Sequence, residues 1–384
     1  MSNLFNSLIP PGKTIGIVGG GQLGRMMALA AREMGYYIAV LDPTEHSPCG
    51  QIADIEVIGQ YDDLDAIKRL AAVSDVITYE FENINAEMVR WLQSNSYVPQ
   101  GSHVLEITQN RKLEKSLITK LGLQVPAYRI VKEENELYTA ISDIGYPCVV
   151  KTCIGGYDGK GQVVVKAEAD IIDASKLLTY SECIVEKWMP LDKEISVIVQ
   201  RNVNGDTTCF PVAENIHRHH ILHQTIVPAR IDKHQQDQAL HYAKVIADGL
   251  ELVGTLTVEM FMTNNQDIYI NELAPRPHNS GHFSIEACTM SQFQQHIRAI
   301  CNWPLSEPEL LKPAVMVNLL GEHVERAIGK IECFSDIHLH LYGKKVAKEK
   351  RKMGHITVLA DKIEDAVSKA ESLAIWKRTE EYTT

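Results

Sequence analysis

Long apolar runs are missing from this sequence. No stretch approaches the roughly 18 residues that a membrane-spanning helix needs, so no membrane contact is expected. A basic excess is missing too: 38 Lys and Arg stand against 49 Asp and Glu, a formal net charge of −11. Wrapping a nucleic-acid polyanion calls for the opposite sign. No nucleic-acid partner is expected, although a local basic site for a small phosphate stays compatible. Cysteine is thin and scattered, with 8 residues from Cys49 to Cys333 and no C-x-x-C pair. That spacing suits neither a metal nor a disulfide framework, and reduced cytoplasmic thiols are expected. The opening MSNLFNSLIPPGKT has no basic segment followed by an apolar one, so no signal peptide is expected. Internal repeats and low-complexity tracts are absent as well.

What is present is a chain of 384 residues, enough for two or three domains. Short apolar strands alternate with helical segments up to about Gly101: TIGIV, then QLGRMMALAAREMGY, then YIAVLDP, then VITYEFEN. That alternation predicts a parallel sheet. Arg111 to Leu121 reads as a charged helix and a domain link. From Val125 the texture changes to antiparallel. YPCVVKT and GQVVVK flank a glycine-rich loop, and SECIVEKWM, EISVIVQR, TCFPVAENIH and GTLTVEMFMTNNQDIYINEL read as strands. SIEACTMSQFQQHIRAI carries apolar residues at helical spacing, and a charged helix closes the chain from Asp361 to Lys377.

Three loops carry chemistry. The first is GIVGGGQLGRMM, with Gly19-x-Gly21-x-x-Gly24 between a strand and a helix. Glycines there let the backbone approach an anion at a helix N-terminus. A dinucleotide, another phosphorylated ligand, and a turn for packing alone all fit; Asp42 could take a ribose hydroxyl. The second is KTCIGGYDGKGQ, Lys151 to Gln162, flanked by strands on both sides. It lacks the Walker arrangement, but a glycine flap wraps phosphates through its amides, and Lys151 reaches them as a point charge. The third is LAPRPHNSGH, where Arg276, His278, Asn279, Ser280 and His282 form an anion-binding composition or a capped loop.

Between the second and third loops lies a pair of acids. A hairpin turning at Asn264–Asp267, centred between Asn265 and Gln266, sets Glu259 opposite Glu272. Like charges opposite each other destabilise a sheet unless something offsets them, and a divalent cation is the simplest candidate. LYGKKVAKEKRKMGH is a basic cluster that reads equally as a phosphate site or a solvated loop. IHRHHILH holds four histidines without the acid or cysteine spacing of zinc; Glu214 and His217 read as polar contacts near a nucleotide.

The order of these motifs resembles the ATP-grasp superfamily. Within it, GGGQLGRM, YEFEN, GGYDGKGQ, VPARID, NELAPRPHNSGH and RKMGH resemble the N5-carboxyaminoimidazole ribonucleotide synthetase family of purine biosynthesis, from the glycine loop to about Leu359. The resemblance implies an α/β and α+β protein: a Rossmann-like N-terminal domain over 1–106, a linker helix and mobile lid over 107–186, an ATP-grasp core over 187–305, and a small β-rich C-terminal part over 306–384. It implies ATP- and bicarbonate-dependent carboxylation of aminoimidazole ribonucleotide by a cytoplasmic homodimer.

Residue roles follow from the same resemblance. Arg111, Lys151 and the flap Gly156, Tyr157, Asp158, Gly159, Lys160, Gly161 and Gln162 would hold ATP phosphates. Glu186, Lys187, Trp188 and Met189 would line the adenine, Glu194 would take the ribose, and His217 would touch ATP. Glu259, Glu272 and Asn271 would bind Mg²⁺. Gln22, Leu23, Glu80, Tyr157, Arg276, His278, Asn279, Ser280, Lys344 and Arg351 would surround the ribonucleotide and bicarbonate, with Asp158, Arg276, His278 and Lys344 closest to the chemistry. Lys348 to Lys350 stand where the family pattern has a proline- or glycine-containing turn. Another ATP-grasp carboxylase or ligase, such as formate-dependent glycinamide ribonucleotide transformylase, is the neighbouring alternative, and a non-catalytic nucleotide sensor is one of a different class.

Overall fold

Apolar residues fill both faces of the first strands, so both faces must be covered. The computed structural model describes residues 8–155 and 161–376. Strands β1 Thr14–Val18, β2 Tyr37–Asp42, β3 Ile55–Ile58 and β4 Val76–Tyr79 form a parallel sheet in the order β3-β2-β1-β4. Alternate residues face opposite layers. Ile15, Ile17, Ile38 and Val40 pack with Met27 and Ala31 of helix Gln22–Glu33, and with Phe293 and Ile297 from far down the chain. Val18, Ala39, Leu41 and Ile77 pack with Ile67 and Leu70 of helix Leu64–Val73 on the other side.

A second, antiparallel sheet is built from β5 Tyr128–Val131, β6 Cys148–Thr152, β7 Gln162–Val165 and β8 Cys183–Lys187, in the order β5-β8-β6-β7. Lys151 pairs with Gln162, so the glycine-rich loop joins two antiparallel strands as a flap does. The third sheet has nine strands: β9 Leu191–Arg201, β10 Thr207–Cys209, β11 Ala213–Arg218, β12 Ile221–Val227, β13 Gly254–Thr263, β14 Ile268–Ala274, β15 Ala314–Leu320, β16 Ile337–Leu341 and β17 Lys352–Leu359. Its path is β14-β13-β9-β11-β12-β15-β17-β16, with β10 on β9. The C-terminal strands therefore continue the central sheet through the β12–β15 ladder rather than forming one of their own.

Two elements differ from the sequence expectation. TCFPVAENIH is two strands, because Pro211 has no N–H to continue the ladder between β10 and β11. SIEACTMSQFQQHIRAI is two helices, Ser284–Ala287 and Gln292–Ile300. The second helix starts afresh at Ser291, whose side chain accepts from Gln294 N at 3.1 Å while Gln294 Oε1 accepts from Ser291 N at 2.9 Å.

The β11–β12 hairpin closes through a two-residue turn, His219 and His220, with φ of +51° and +63°. Two positive φ values define the turn that suits right-twisted strands, and it favours Asn-Gly. Left-handed backbone costs an L-residue about 1–2 kcal/mol. His219→Asn with His220→Gly should stabilise the protein by about 1 kcal/mol. Urea unfolding checks it; equal or lower stability counts against the strain.

Candidate active site

The ends of all three sheets meet around one cleft of 920 Å³. The parallel sheet contributes Gln22, Leu23 and Glu80, and the antiparallel lid contributes Lys151, Gln162, Glu186, Lys187, Trp188 and Met189. The central sheet adds Glu194, His217, Glu259, Asn271, Glu272, Arg276, His278 and Asn279, and its C-terminal extension adds Lys344 and Arg351. Arg111 reaches it from the linker helix Arg111–Lys120. Gly156, Tyr157, Asp158, Gly159 and Lys160 lie outside the described residues. Gly161 is described but is not among the lining residues.

The acid pair is in register: Glu259 of β13 faces Glu272 of β14. The reason differs from the expectation. The hairpin turns through Asn264, Asn265 and Gln266, with Thr263 N donating to Asp267 O and Gln266 at φ +69°. Near the turn Met260 pairs with Ile270 and Met262 with Ile268, a register that would carry Glu259 onto Asn271. A bulge between Glu259 and Met260 takes up the extra residue and brings Glu272 opposite. Asn271 and Glu272 consequently both line the cleft. Burial and the facing Glu272 raise the Glu259 pKa well above the carboxylate range. Nearby, the buried Asn279 Oδ1 has no partner among the described residues. Two crowded carboxylates and amide oxygens suit a hard divalent cation.

The lid and core are tied by a buried charge cluster. Glu186 Oε2 sits 2.5 Å from Lys151 Nζ, and Glu186 Oε1 sits 3.1 Å from Lys115 Nζ. The Glu186 carboxylate is thus paired with two lysines, although its buried Oε1 accepts no hydrogen bond among the described residues. Arg111 is 3.4 Å from Glu272, and Glu194 Oε2 is 3.0 Å from His217 Nδ1. Burial works against the His217 imidazolium, but the Glu194 bond and charge outweigh it and raise its pKa.

The glycine loop is occupied by the protein itself. Gly21 N and Gly24 N donate to the two oxygens of Glu80, the latter at 2.6 Å, and Gly20 N donates to Asp42 at 2.8 Å. Asp42 also accepts from Tyr61 Oη and Thr44 N, so it is no ribose ligand. A Cβ at Gly21 would stand 2.6 Å from Glu80 Oε1, which explains the glycine. Here the anion at the helix N-terminus is a side chain, and the phosphate readings of this loop are corrected accordingly.

Arg276 is gripped through Nε and Nη2 by both oxygens of Glu82, a residue the sequence reading passed over within YEFEN. His278 Nε2 lies 3.3 Å from Glu259 and its Nδ1 2.9 Å from Ser280 Oγ; burial, then Arg276, depresses its pKa. Ser280 is fully buried, bonds Ser196 and His278, and does not itself line the cleft. Glu214 is withdrawn from the nucleotide, because Arg230 of VPARID holds it at 3.0 Å and 2.5 Å. Lys344 donates to Lys352 O at 2.6 Å and lies 5.7 Å from the Tyr342 ring. The departure at Lys348 to Lys350 is accommodated by a turn, with Lys350 at φ +62° and Arg351 N donating to Lys348 O.

Three family models cover successive parts of the chain. A ribonucleotide synthetase preATP-grasp domain matches residues 12–109, an ATP-grasp domain 116–293, and a phosphoribosylaminoimidazole carboxylase C-terminal domain 314–369. The N5-carboxyaminoimidazole ribonucleotide synthase of Bacillus subtilis (strain 168) is 53% identical over 93% of this chain and 94% of its own. The chain belongs to this synthase family.

Solved members of the family align over almost the full chain. An N5-carboxyaminoimidazole ribonucleotide synthetase solved as its ADP complex is 61% identical with a TM-score of 0.94, covering 96% of this chain and 98% of that one. The synthase of Aspergillus clavatus, solved with ADP and 5-aminoimidazole ribonucleotide, is 30% identical with a TM-score of 0.89, covering 96% and 98%. Against the family's motifs, the four histidines of IHRHHILH separate. His217 faces Glu194, His219 and His220 form the turn, and His223 packs edge-on to Trp376. The described residues contain no grouping of three metal-ligating side chains of the His, Cys, Asp and Glu kind. Lys115 and Glu114 were also passed over, because a charged helix reads as solvated; helical spacing of Arg111, Glu114 and Lys115 on one face was the available signal.

Proposed function

We infer that this chain is an ATP-dependent ligase that carboxylates 5-aminoimidazole ribonucleotide to N5-carboxyaminoimidazole ribonucleotide, with ATP converted to ADP and phosphate. The observation that carries this reading is one cleft faced at once by Lys151, the Glu259–Glu272 pair, Arg276 and the Lys344–Arg351 loop. It is supported by family members solved with ADP and with the ribonucleotide.

Lys151 and Arg111 would hold the ATP phosphates, and Trp188 and Met189 the base. Glu259, Glu272 and Asn271 would hold Mg²⁺, which when bound supplies neutralisation of charge on the phosphate oxygens. A bicarbonate oxygen attacks the γ-phosphorus and the bond to ADP breaks, giving carboxyphosphate. Carboxyphosphate releases phosphate and leaves CO₂. The ribonucleotide amine attacks that carbon, and its proton passes to a base, for which we propose Asp158. Arg276 and His278 would hold the bicarbonate end, and Lys344 and Arg351 the ribonucleotide phosphate. A closed lid would keep water from the intermediate. We also infer a cytoplasmic homodimer: the dimer rests on the family resemblance, and eight free thiols suit a reducing compartment. No helix among the described residues is long and apolar enough to cross a membrane.

The test is ADP release with aminoimidazole ribonucleotide and bicarbonate each omitted in turn. Release that ignores the ribonucleotide overturns the substrate assignment. A pH dependence follows as well. Burial, then the neighbouring Arg351, lowers Lys344 to about 8. The free protein therefore loses this charge as pH rises through about 8, and an anionic ligand would hold the proton on. KM for the ribonucleotide should rise above that pH, by up to about tenfold per pH unit. Lys344→Arg should remove the limb, because a guanidinium stays charged. A KM flat with pH across that range in the unaltered protein would detach Lys344 from the phosphate.

A further inference from the structure

Lys115 is a fully buried lysine on the helix Arg111–Lys120. Its ammonium has three protons and three oxygen neighbours: Asn271 O at 2.8 Å, Glu186 Oε1 at 3.1 Å and Ile270 O at 3.4 Å. Two of these are main-chain carbonyls beside the β14 bulge. β14 is the edge of the nine-stranded sheet, so its outward carbonyls and amides have no further strand to pair with. The adjacent Glu114, also buried, accepts from Leu273 N at 2.7 Å. Two consecutive side chains of one helix thus clamp residues 270–273, the stretch that carries Asn271 and Glu272. An apolar side chain would fill the same space at far lower desolvation cost. The fourth link runs to the lid: the carboxylate that meets Lys115 holds Lys151 with its other oxygen.

We propose that Lys115, assisted by Glu114, is a positioning residue that fixes the β14 bulge so that Asn271 and Glu272 face Glu259, and that sets Lys151 through Glu186. The proposal rests on reading Glu259, Glu272 and Asn271 as the metal-binding group. It gives the buried ammonium one task at two ends: the cation and the phosphate-binding lysine keep a fixed separation because both hang on the same nitrogen.

The experiment measures ADP affinity by equilibrium dialysis with and without Mn²⁺, and takes the ratio as the metal-dependent gain. Lys115→Met with Glu186→Gln removes the clamp and leaves only Lys151, 13% exposed at the cleft, without its carboxylate, and Glu114→Met loosens the same bulge from the neighbouring side chain without touching Lys151 or Glu186. The gain should fall by about 10–100-fold in the double variant and in the same direction in Glu114→Met, as for other partners that orient metal ligands. Metal-free ADP affinity should change less than the gain. Glu272→Gln is the control for the underlying reading. If it leaves the gain intact, the metal assignment itself fails. If it abolishes the gain while the double variant, or Glu114→Met where only that folds, binds Mn-ADP as the unaltered protein does, the positioning role is overturned.

Discussion

Glu272→Gln is expected to abolish turnover while leaving the fold intact. The substitution keeps the shape of the side chain and removes one charge. At 44% side-chain exposure Glu272 bears little of the core, and its Arg111 partner keeps a carbonyl to donate to. The like-charge contact with Glu259 disappears, so stability should hold or rise slightly. What is lost is half of the charge that would hold Mg²⁺ against the nucleotide. Charge stabilisation of this kind is worth several kcal/mol, and ~4 kcal/mol is a loss of about 10³-fold in kcat. ADP release and thermal melting on the same preparation check both halves. Activity near that of the unaltered protein at ordinary magnesium would sink the metal assignment.

Glu186→Gln should produce the second large effect, on stability. The carboxylate is 3% exposed and stands between Lys115 and Lys151. Its removal leaves two buried ammoniums without the carboxylate between them, a situation that costs about 3–5 kcal/mol. Burial alone would raise the Glu186 pKa, but the two lysines overcome it and hold the carboxyl far below the usual range. A depressed folded pKa contributes stability above the unfolded value, about 4.3, and loses it as pH falls towards the folded one. The unaltered protein should therefore weaken with acid below about pH 4, and Glu186→Gln should lack that contribution. Denaturant unfolding at pH 7 and at pH 3 measures both. Equal stability of the two proteins at pH 7 would show that the lysines find other partners.

Much of this was legible from residue patterns. Period-two and helical alternation located β1, β2, β4, β6 to β9, β13 and β14, the flap hairpin and the linker helix, since each depends on local spacing. The elements that escaped depend on what a side chain meets in space. Glu259 faces Glu272 only because of a bulge that no turn rule supplies. The glycine loop carries the spacing of a phosphate site, yet Glu80 from the next-but-two strand fills it. Sequence spacing cannot tell an anion that arrives from solvent from one that arrives on the same chain. Lys115 sits among charged neighbours on a helix whose polar face looks solvated, and the burial comes from β14, about 150 residues further on. Ser291 and Gln294 formed a readable capping box that outweighed apolar periodicity across SIEACTMSQFQQHIRAI.

The β12–β15 ladder has a consequence for synthesis. β12 is complete at Val227, and its pairing partner begins only at Ala314. At ribosomal rates of about 5–20 residues per second, the intervening stretch of about 90 residues takes several seconds to emerge. During that interval the parallel sheet and the lid have all their strands, but Ile221–Val227 presents an unpaired, largely apolar edge. Chains stopped before residue 314 should keep that edge permanently and associate through it. The protein's exposure to aggregation is thus greatest while it is being made, and chaperone demand should track translation speed across that stretch.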